Sequence, residues 1–244
     1  MLTHRLFSRN SSSSRAIPSE RLIQQVIDDP VLPVFWGKNQ AGMQAREELG
    51  ANDYFKAREL WLAARNEAVA SVRCLHAAGL HKQLANRLLE PWMWITVIIS
   101  ATDFDNFFAL RCHPDAQPEI QKIAKMMRES YERSVPHLVT EEGANGWHLP
   151  FLKIEDYKNN PLHTFNDLRK LSVARCARVS YLTHDGQHDP EVDLMLHDRL
   201  AASGHWSPFE HVAEAAPGKG SGNFQGWEQY RKMFRNEHLG RKRP

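Results

Sequence analysis

The sequence predicts an α+β fold on three observations. Apolar residues recur at helical spacing through most of the chain, turn-rich stretches separate those segments, and a set of motifs described below implies a sheet. With 244 residues, 42% hydrophobic and 25% charged, the chain is long enough for a sizeable core and reads as globular material. A mean hydropathy of −0.54 argues against a membrane protein. The longest apolar run, residues 92–101, is interrupted by Thr96 and falls short of the roughly 20 residues that a bilayer span requires. Lys and Arg number 31 and Asp and Glu 29, and the net charge of +2 excludes a strongly basic nucleic-acid coat or an acidic tail protein. Cys74, Cys112 and Cys176 lie far apart without a C-x-x-C pair, which indicates neither a disulfide framework nor a zinc module and fits a reducing, cytoplasmic setting.

Residues 1–16 are basic, serine-rich and free of acids, the composition of an organellar transit peptide. After Pro18 a short helix is expected, with Leu22, Val26 and Ile27 on one side, ending before Asp28-Asp29-Pro30. Residues 33–43 read as a structured loop. Leu60, Ala64, Ala68, Val72 and Leu75 predict a helix over 52–78, and Gly79 stands where a helix ends. A second helix is expected over 82–89. The apolar run 92–99 reads as a buried helix continuing into Phe104, Phe107 and Leu110.

Pro114 opens an expected amphipathic helix with Ile120, Ile123, Ala124, Met127 and Tyr131 inward, ending before Pro136. Residues 139–163 carry loop chemistry. A helix from about Asn166 leads into residues 177–181, and the next uses Val192, Met195, Leu196 and Leu200 and ends at Gly204. Gly218, Gly220 and Gly222 read as a turn, followed by residues 227–234 and a basic end.

Four clusters carry chemistry. Thr3-His4-Arg5, with Asn10, Ser13 and Arg15, presents the donors that a phosphate needs, or belongs to the transit peptide. Arg87 and Arg111 sit beside apolar helical sequence, where a guanidinium requires either an anionic ligand or a carboxylate such as Glu90 or Glu119. Residues 204–211 (GHWSPFEH) follow a helix end and serve either a polar cofactor or the helix cap; a metal site on His205, Glu210 and His211 lacks zinc-signature spacing. Cys112-His113 with Gln117 is similar to the surroundings of the nucleophile in folate-dependent, flavin-free thymidylate synthases, or is a cysteine at a helix start.

Taken together, three segments resemble the flavin-dependent thymidylate synthases, the ThyX family. Its signature R-H-R-x-x-S-x-N-E-x-S-x-R-Y aligns without gaps on residues 3–16, agreeing at His4, Arg5, Ser8, Asn10, Ser13 and Arg15 and departing at Thr3, Ser11 and Ala16. Residues 87–91 (RLLEP) and 106–120 (NFFALRCHPDAQPEI) are similar to two further family segments. Residues 176–181 and 204–211 match A-A-R-V-S-Y and G-H-x-S-P-F-E-H, which in the family precede the signature and here follow it. This order implies a circular permutation, with residues 224–231 (FQGWEQYR) as the strand that leads into the signature.

The resemblance implies one domain over 1–244: a signature loop (1–16), a mainly helical part (17–138) and a part like the family's N-terminal half (164–244). Its fold would be a central mixed or antiparallel sheet packed against a helical bundle. The implied reaction is reductive methylation of dUMP to dTMP, with methylenetetrahydrofolate as carbon donor, FAD as hydride carrier and NADPH as reductant. By resemblance Ser13, Arg15, Arg87 and Arg111 bind dUMP, with Arg111 and Ser13 catalytic, and His4, Arg5, Asn10, Asn106, Ser180, His205, Ser207 and Glu210 hold FAD. No metal, nucleic acid or membrane partner is implied; the partner is a small nucleotide, in a homotetramer whose sites are shared between subunits. The departures at Thr3, Ser11 and Ala16 call for compensation by Gln229, Arg231 or the loop 38–40, or mark a drift to nucleotide hydroxymethylation or to binding without turnover.

Overall fold

A computed structural model describes residues 7–136, 139, 146–152, 164–181, 189–221 and 224–237. They fall into two compact units. The first comprises Met1–Ser12, Thr96–Phe104 and Val135–Pro244; the second comprises Ser13–Ile95 and Asp105–Ser134. Among the described residues no helix is long and apolar enough to cross a membrane.

The first unit is α+β. Strand β1 (Ser8–Ser11) pairs antiparallel with β2 (Val97–Ser100), Ser8 opposite Ser100 and Ser11 opposite Val97. The ladder continues past the strand, where the Ser12 N–H donates to the Thr96 carbonyl at 2.8 Å. Of residues 92–99, expected as a buried helix, Trp92 ends a 3₁₀ segment and 97–99 belong to β2. Thr96, Val97, Ile98 and Ile99 are consecutive β-branched residues, stiff at χ1 and suited to a pleated surface. The helix that carries Phe107 and Leu110 starts separately.

Strands β3 (Trp147–His148), β4 (Ala213–Ser221) and β5 (Phe224–Gln229) form a second antiparallel sheet in the order β3-β4-β5. The segment expected as a lead-in strand, 224–231, is a strand as far as Gln229 and then a 3₁₀ turn over Tyr230–Met233. Gly218 and Gly220, expected in a turn, lie within β4 where the register shifts between Ala215 and Gly220. Pro217 has no N–H to give the ladder and Gly218 takes φ +82°, so the pair makes the bulge.

Two helices complete this unit, α6 (Phe165–Arg178) and α7 (Pro190–Ser203), numbered after five that precede them in the chain. A capping box opens α6: the Asp167 N–H donates to Thr164 Oγ1 and the Thr164 N–H to Asp167 Oδ2. Asp189 caps α7, Pro190 takes its first position and Gly204, at φ +71°, ends it. The expected inward face of α7 is wrong by part of a turn. Val192 and Met195 are exposed, whereas Asp193, Leu196 and His197 are buried, because Asp193 answers arginines of α6. Trp147, Leu171, Val173, Phe209, Val212 and Tyr230 make the core.

The second unit is helical: α1 (Ser19–Asp28), α2 (Ala51–Ala77), α3 (Lys82–Ala85), a 3₁₀ segment (Asn86–Trp92), α4 (Asp105–Arg111) and α5 (Pro118–Arg133). Leu22, Ile23 and Val26 form the buried face of α1, with Ile27 at its exposed margin. Arg65 of α2 donates to the Val26 and Ile27 carbonyls, closing the C-terminus of α1. Helix α2 buries Val69 and Val72 and leaves Leu60 exposed, so the expected stripe is covered only in its second half. Its end is a Schellman turn: Gly79 at φ +85° donates to the His76 carbonyl and Leu80 to that of Leu75. The helix expected over 82–89 tightens into 3₁₀ geometry from Asn86, ahead of Pro91. Helix α5 starts at Pro118 instead of Pro114. Of its expected inward residues Ala124 is buried, while Ile123 and Tyr131 are exposed.

Candidate functional site

The first motif strand, β1, is tied into its unit by side chains. Asn10 is buried, its Nδ2 donating to the Cys176 carbonyl at 2.8 Å and its Oδ1 accepting from Ser180 Oγ at 3.3 Å. The Cys176 carbonyl lies in the last turn of α6, whose terminal acceptors lack intrahelical donors, so Asn10 acts as a remote C-cap. Residues 166 and 170 positions apart in sequence thus meet. Serine in β1 is what an alternating segment needs when both faces are polar or closely packed; Ser8 and Ser12 are buried with Asn10. Within the stretch read by composition as a leader, Ser8–Ser11 therefore form a strand paired with Val97–Ser100.

The loop 204–211 stands on the same unit. Its 3₁₀ turn, Ser207–Glu210, buries Phe209 completely against Trp206, Tyr230 and Phe234 and leaves polar groups at its edge. The side chains of His205 and Ser207 have no hydrogen-bond partner among the described residues. Glu210 is paired with Arg231, which also donates to Glu237 at 3.2 Å. His211 is fully buried and shares a hydrogen bond with Ser100 Oγ at 2.9 Å, while its Nε2 has no partner. Burial pushes the imidazole down to about 4, and the neighbouring His148 acts in the same direction. His205, Glu210 and His211 thus have three different environments, and among the described residues no such group is arranged to hold a metal ion.

The arginine candidates belong to the second unit. Asn86 Nδ2 donates to the carbonyls of Ser14 (2.8 Å) and Ile17 (3.2 Å), Ser14 Oγ donates to Glu90 at 2.8 Å, and Lys82 Nζ donates to the Ala16 carbonyl at 3.1 Å. These bonds hold the turn 13–17 against the 3₁₀ segment, so the backbones that bear Arg15 and Arg87 are fastened together. Both guanidiniums are exposed and have no partner among the described residues. The two carboxylates that offered a structural explanation are engaged elsewhere: Glu90 with Ser14, and Glu119 with the Val34 N–H at 3.2 Å. Arg111 ends α4, and its Nε is buried with no partner. The bonds that join 13–17 to 86–92 do not extend to it. Ser13 is half-buried and its carbonyl accepts the turn's Ala16 and Ile17 N–H groups, while Asn106 is exposed on α4.

His4 and Arg5, with Thr3, lie outside the described residues. The groups expected to compensate for the altered signature positions have partners of their own. Lys38 pairs with Glu47, Gln40 bonds Gln44 and Arg46, and Arg231 holds Glu210 and Glu237. Cys112 is half-buried and Cys176 fully buried, its thiol pushed well up by burial.

Sequence reasoning missed one organising residue, Asp193, and named another, Gln229, only as a compensating group. Asp193, completely buried, accepts from Arg178 at 2.7 Å and lies 3.7 Å from Arg175. The available signal was an aspartate among apolar residues on α7. Gln229 joins Ser8 to the Glu210 carbonyl, for which no local pattern gives warning.

No curated protein and no solved structure matches the chain. Residues 1–137, more than half of it, match the family model described as thymidylate synthase complementing protein. That span contains the signature strand, the three unpaired arginines and α4 with its NFFALR sequence, and the chain belongs to this family.

Proposed function

We propose that the chain is a flavin-dependent thymidylate synthase that converts dUMP to dTMP, with methylenetetrahydrofolate as carbon donor and NADPH as reductant. The observation that carries this reading is the convergence of the motifs. Asn10 of the signature is bonded to the Cys176 carbonyl and to Ser180, and Ser8 is linked through Gln229 to the 204–211 loop. We propose that these later segments complete in permuted order what the family builds from segments placed before the signature.

The residues present fit a flavin. His205 and Ser207 offer free polar groups, while Asn10 and Ser180 are spent on each other and serve as the frame. Glu210 is held in place by Arg231. When bound, FAD supplies the hydride that completes the methyl group. Asn106, also implied for the flavin, belongs to the second unit with the arginines.

On the nucleotide side, Arg15 and Arg87 are the proposed phosphate ligands, being unpaired cations on one fastened segment. Arg111 meets the uracil carbonyl-imide edge, and its guanidinium stabilises the negative charge that builds as C5 attacks the methylene carbon. The Nε, buried with no partner among the described residues, supports that role, since a ligand acceptor there would offset its desolvation. Ser13 is the proposed pyrimidine contact, a reading supported by its sharing the turn 13–17 with Arg15.

The test is direct. Purified protein should show oxidised-flavin absorption with added FAD, bleach anaerobically with NADPH and form dTMP when dUMP and methylenetetrahydrofolate are supplied. Protein that fails to bind FAD overturns the reading. A product heavier by one oxygen identifies hydroxymethylation instead, and ligand stabilisation by dUMP without product identifies a binding relative. Cys112→Ala should retain turnover; its loss would assign the nucleophile to Cys112.

A further inference from the structure

Gln229 ends β5 with its side chain buried, and its amide nitrogen donates twice, to Ser8 Oγ at 2.8 Å and to the Glu210 carbonyl at 2.9 Å. Both amide protons are spent, one on each partner. Ser8 lies two residues before Asn10 on β1, and Glu210 closes the 3₁₀ turn that begins at Ser207. One NH₂ group therefore bridges the signature strand and the 204–211 loop. Both acceptors are oxygens in a buried or part-buried environment, and one amide nitrogen with two protons serves them together.

We infer that Gln229 is a positioning residue of the flavin-side site, setting the spacing between the strand that carries Asn10 and the loop that carries His205 and Ser207. The inference rests on the flavin reading given above. Gln229 itself touches neither reacting atoms nor cofactor in this role; it acts through Ser8 and Glu210. A glutamate at this position has no donor when ionised and one when protonated, so it makes the bridge dependent on pH.

The experiment measures FAD affinity of the full chain, by flavin fluorescence quenching, for wild type, Gln229→Met, Ser8→Ala, the double variant and Gln229→Glu. Losing both buried bonds should raise the FAD Kd of Gln229→Met about tenfold, and losing one should raise that of Ser8→Ala by about threefold to fivefold. The double variant should fall short of the sum of the two single effects, because either substitution breaks the Ser8–Gln229 bond. Gln229→Glu should recover toward the wild-type value measured at the same pH as the pH falls from 8 to 5.5. A Gln229→Met Kd within twofold of wild type, additive effects in the double variant, or no recovery of Gln229→Glu overturns the inference. If Gln229→Met does not fold, Ser8→Ala decides by its own Kd. Wild-type protein that binds no FAD overturns the flavin reading itself, a distinct outcome.

Discussion

Asn10→Ala removes two hydrogen bonds that hold the signature strand to the end of α6. The bond to the Cys176 carbonyl is buried and short, 2.8 Å, and its loss strands a helix-terminal acceptor away from water, at about 1–3 kcal/mol. The Ser180 bond is longer, 3.3 Å, and partly open to solvent, contributing about 0.5 kcal/mol. The sum of about 2 kcal/mol corresponds to a Tm lowered by about 4–8 °C in a chain of this size. Asn10→Asp is nearly isosteric but presents only acceptors to the Cys176 carbonyl, and it places a negative charge at the negative end of α6. It should cost about 1 kcal/mol more than alanine. The assay is differential scanning calorimetry at pH 7 combined with amide hydrogen exchange, in which residues 176–181 should lose protection first. An Asn10→Asp variant as stable as Asn10→Ala, or unchanged exchange at 176–181, would refute the capping argument.

Asp193→Ala removes the carboxylate that Arg178 bonds and that lies 3.7 Å from Arg175, and should cost about 1–3 kcal/mol in a chemical-denaturation titration. Adding Arg178→Met should restore part of the loss, and its failure to do so would contradict the ion-triad account. His211, neutral in the fold with a value of about 4, binds a proton more readily once unfolded, where its ordinary value is about 6.5. Stability should therefore be full above pH 6.5 and fall by about 3 kcal/mol as the pH drops to 4. His197, also pushed down by burial, adds to the same slope. His211→Gln should flatten the pH dependence of the urea midpoint, and an unchanged slope would count against it. Cys74 is exposed and should react with a thiol reagent in the native protein, whereas Cys176 should react only on unfolding. Mass mapping of labelled peptides distinguishes the two.

Helices were the legible part of the chain. The signals for α1, α2, α6 and α7 are local: apolar spacing, the Thr164 and Asp189 caps, and the stops at Gly79 and Gly204. Boundaries followed less well where a proline allowed two starts, as at Pro114 and Pro118. The faces of helices were also misread. Leu60 and Met195 satisfy a helical period and are nonetheless exposed, since periodicity reports a stripe and not whether anything covers it.

The sheets were less legible, apart from β5, whose segment the family resemblance marked as a strand. Residues 97–100 become a strand because β1 supplies their hydrogen-bond partners, and β3 is two residues long. No pattern internal to either segment records the partner that makes it a strand. The motif residues were visible individually, yet their engagement was not. Asn10 is bonded to the Cys176 carbonyl and to Ser180, Glu210 is held by Arg231, and Arg15, Arg87 and Arg111 keep donors without partners among the described residues.

By itself the amino-acid sequence determined the helical framework, the absence of a disulfide framework, and the residues on which the family match of 1–137 rests. Those are properties of residue type and near-neighbour spacing. Tertiary structure alone decided that Ser8–Ser11 pair as a strand, that Gln229 bonds Ser8 and the Glu210 carbonyl, and that Arg15 and Arg87 have no partner among the described residues. The physical reason is that a buried polar group needs a partner, and the partner here stands tens to hundreds of residues away in the chain.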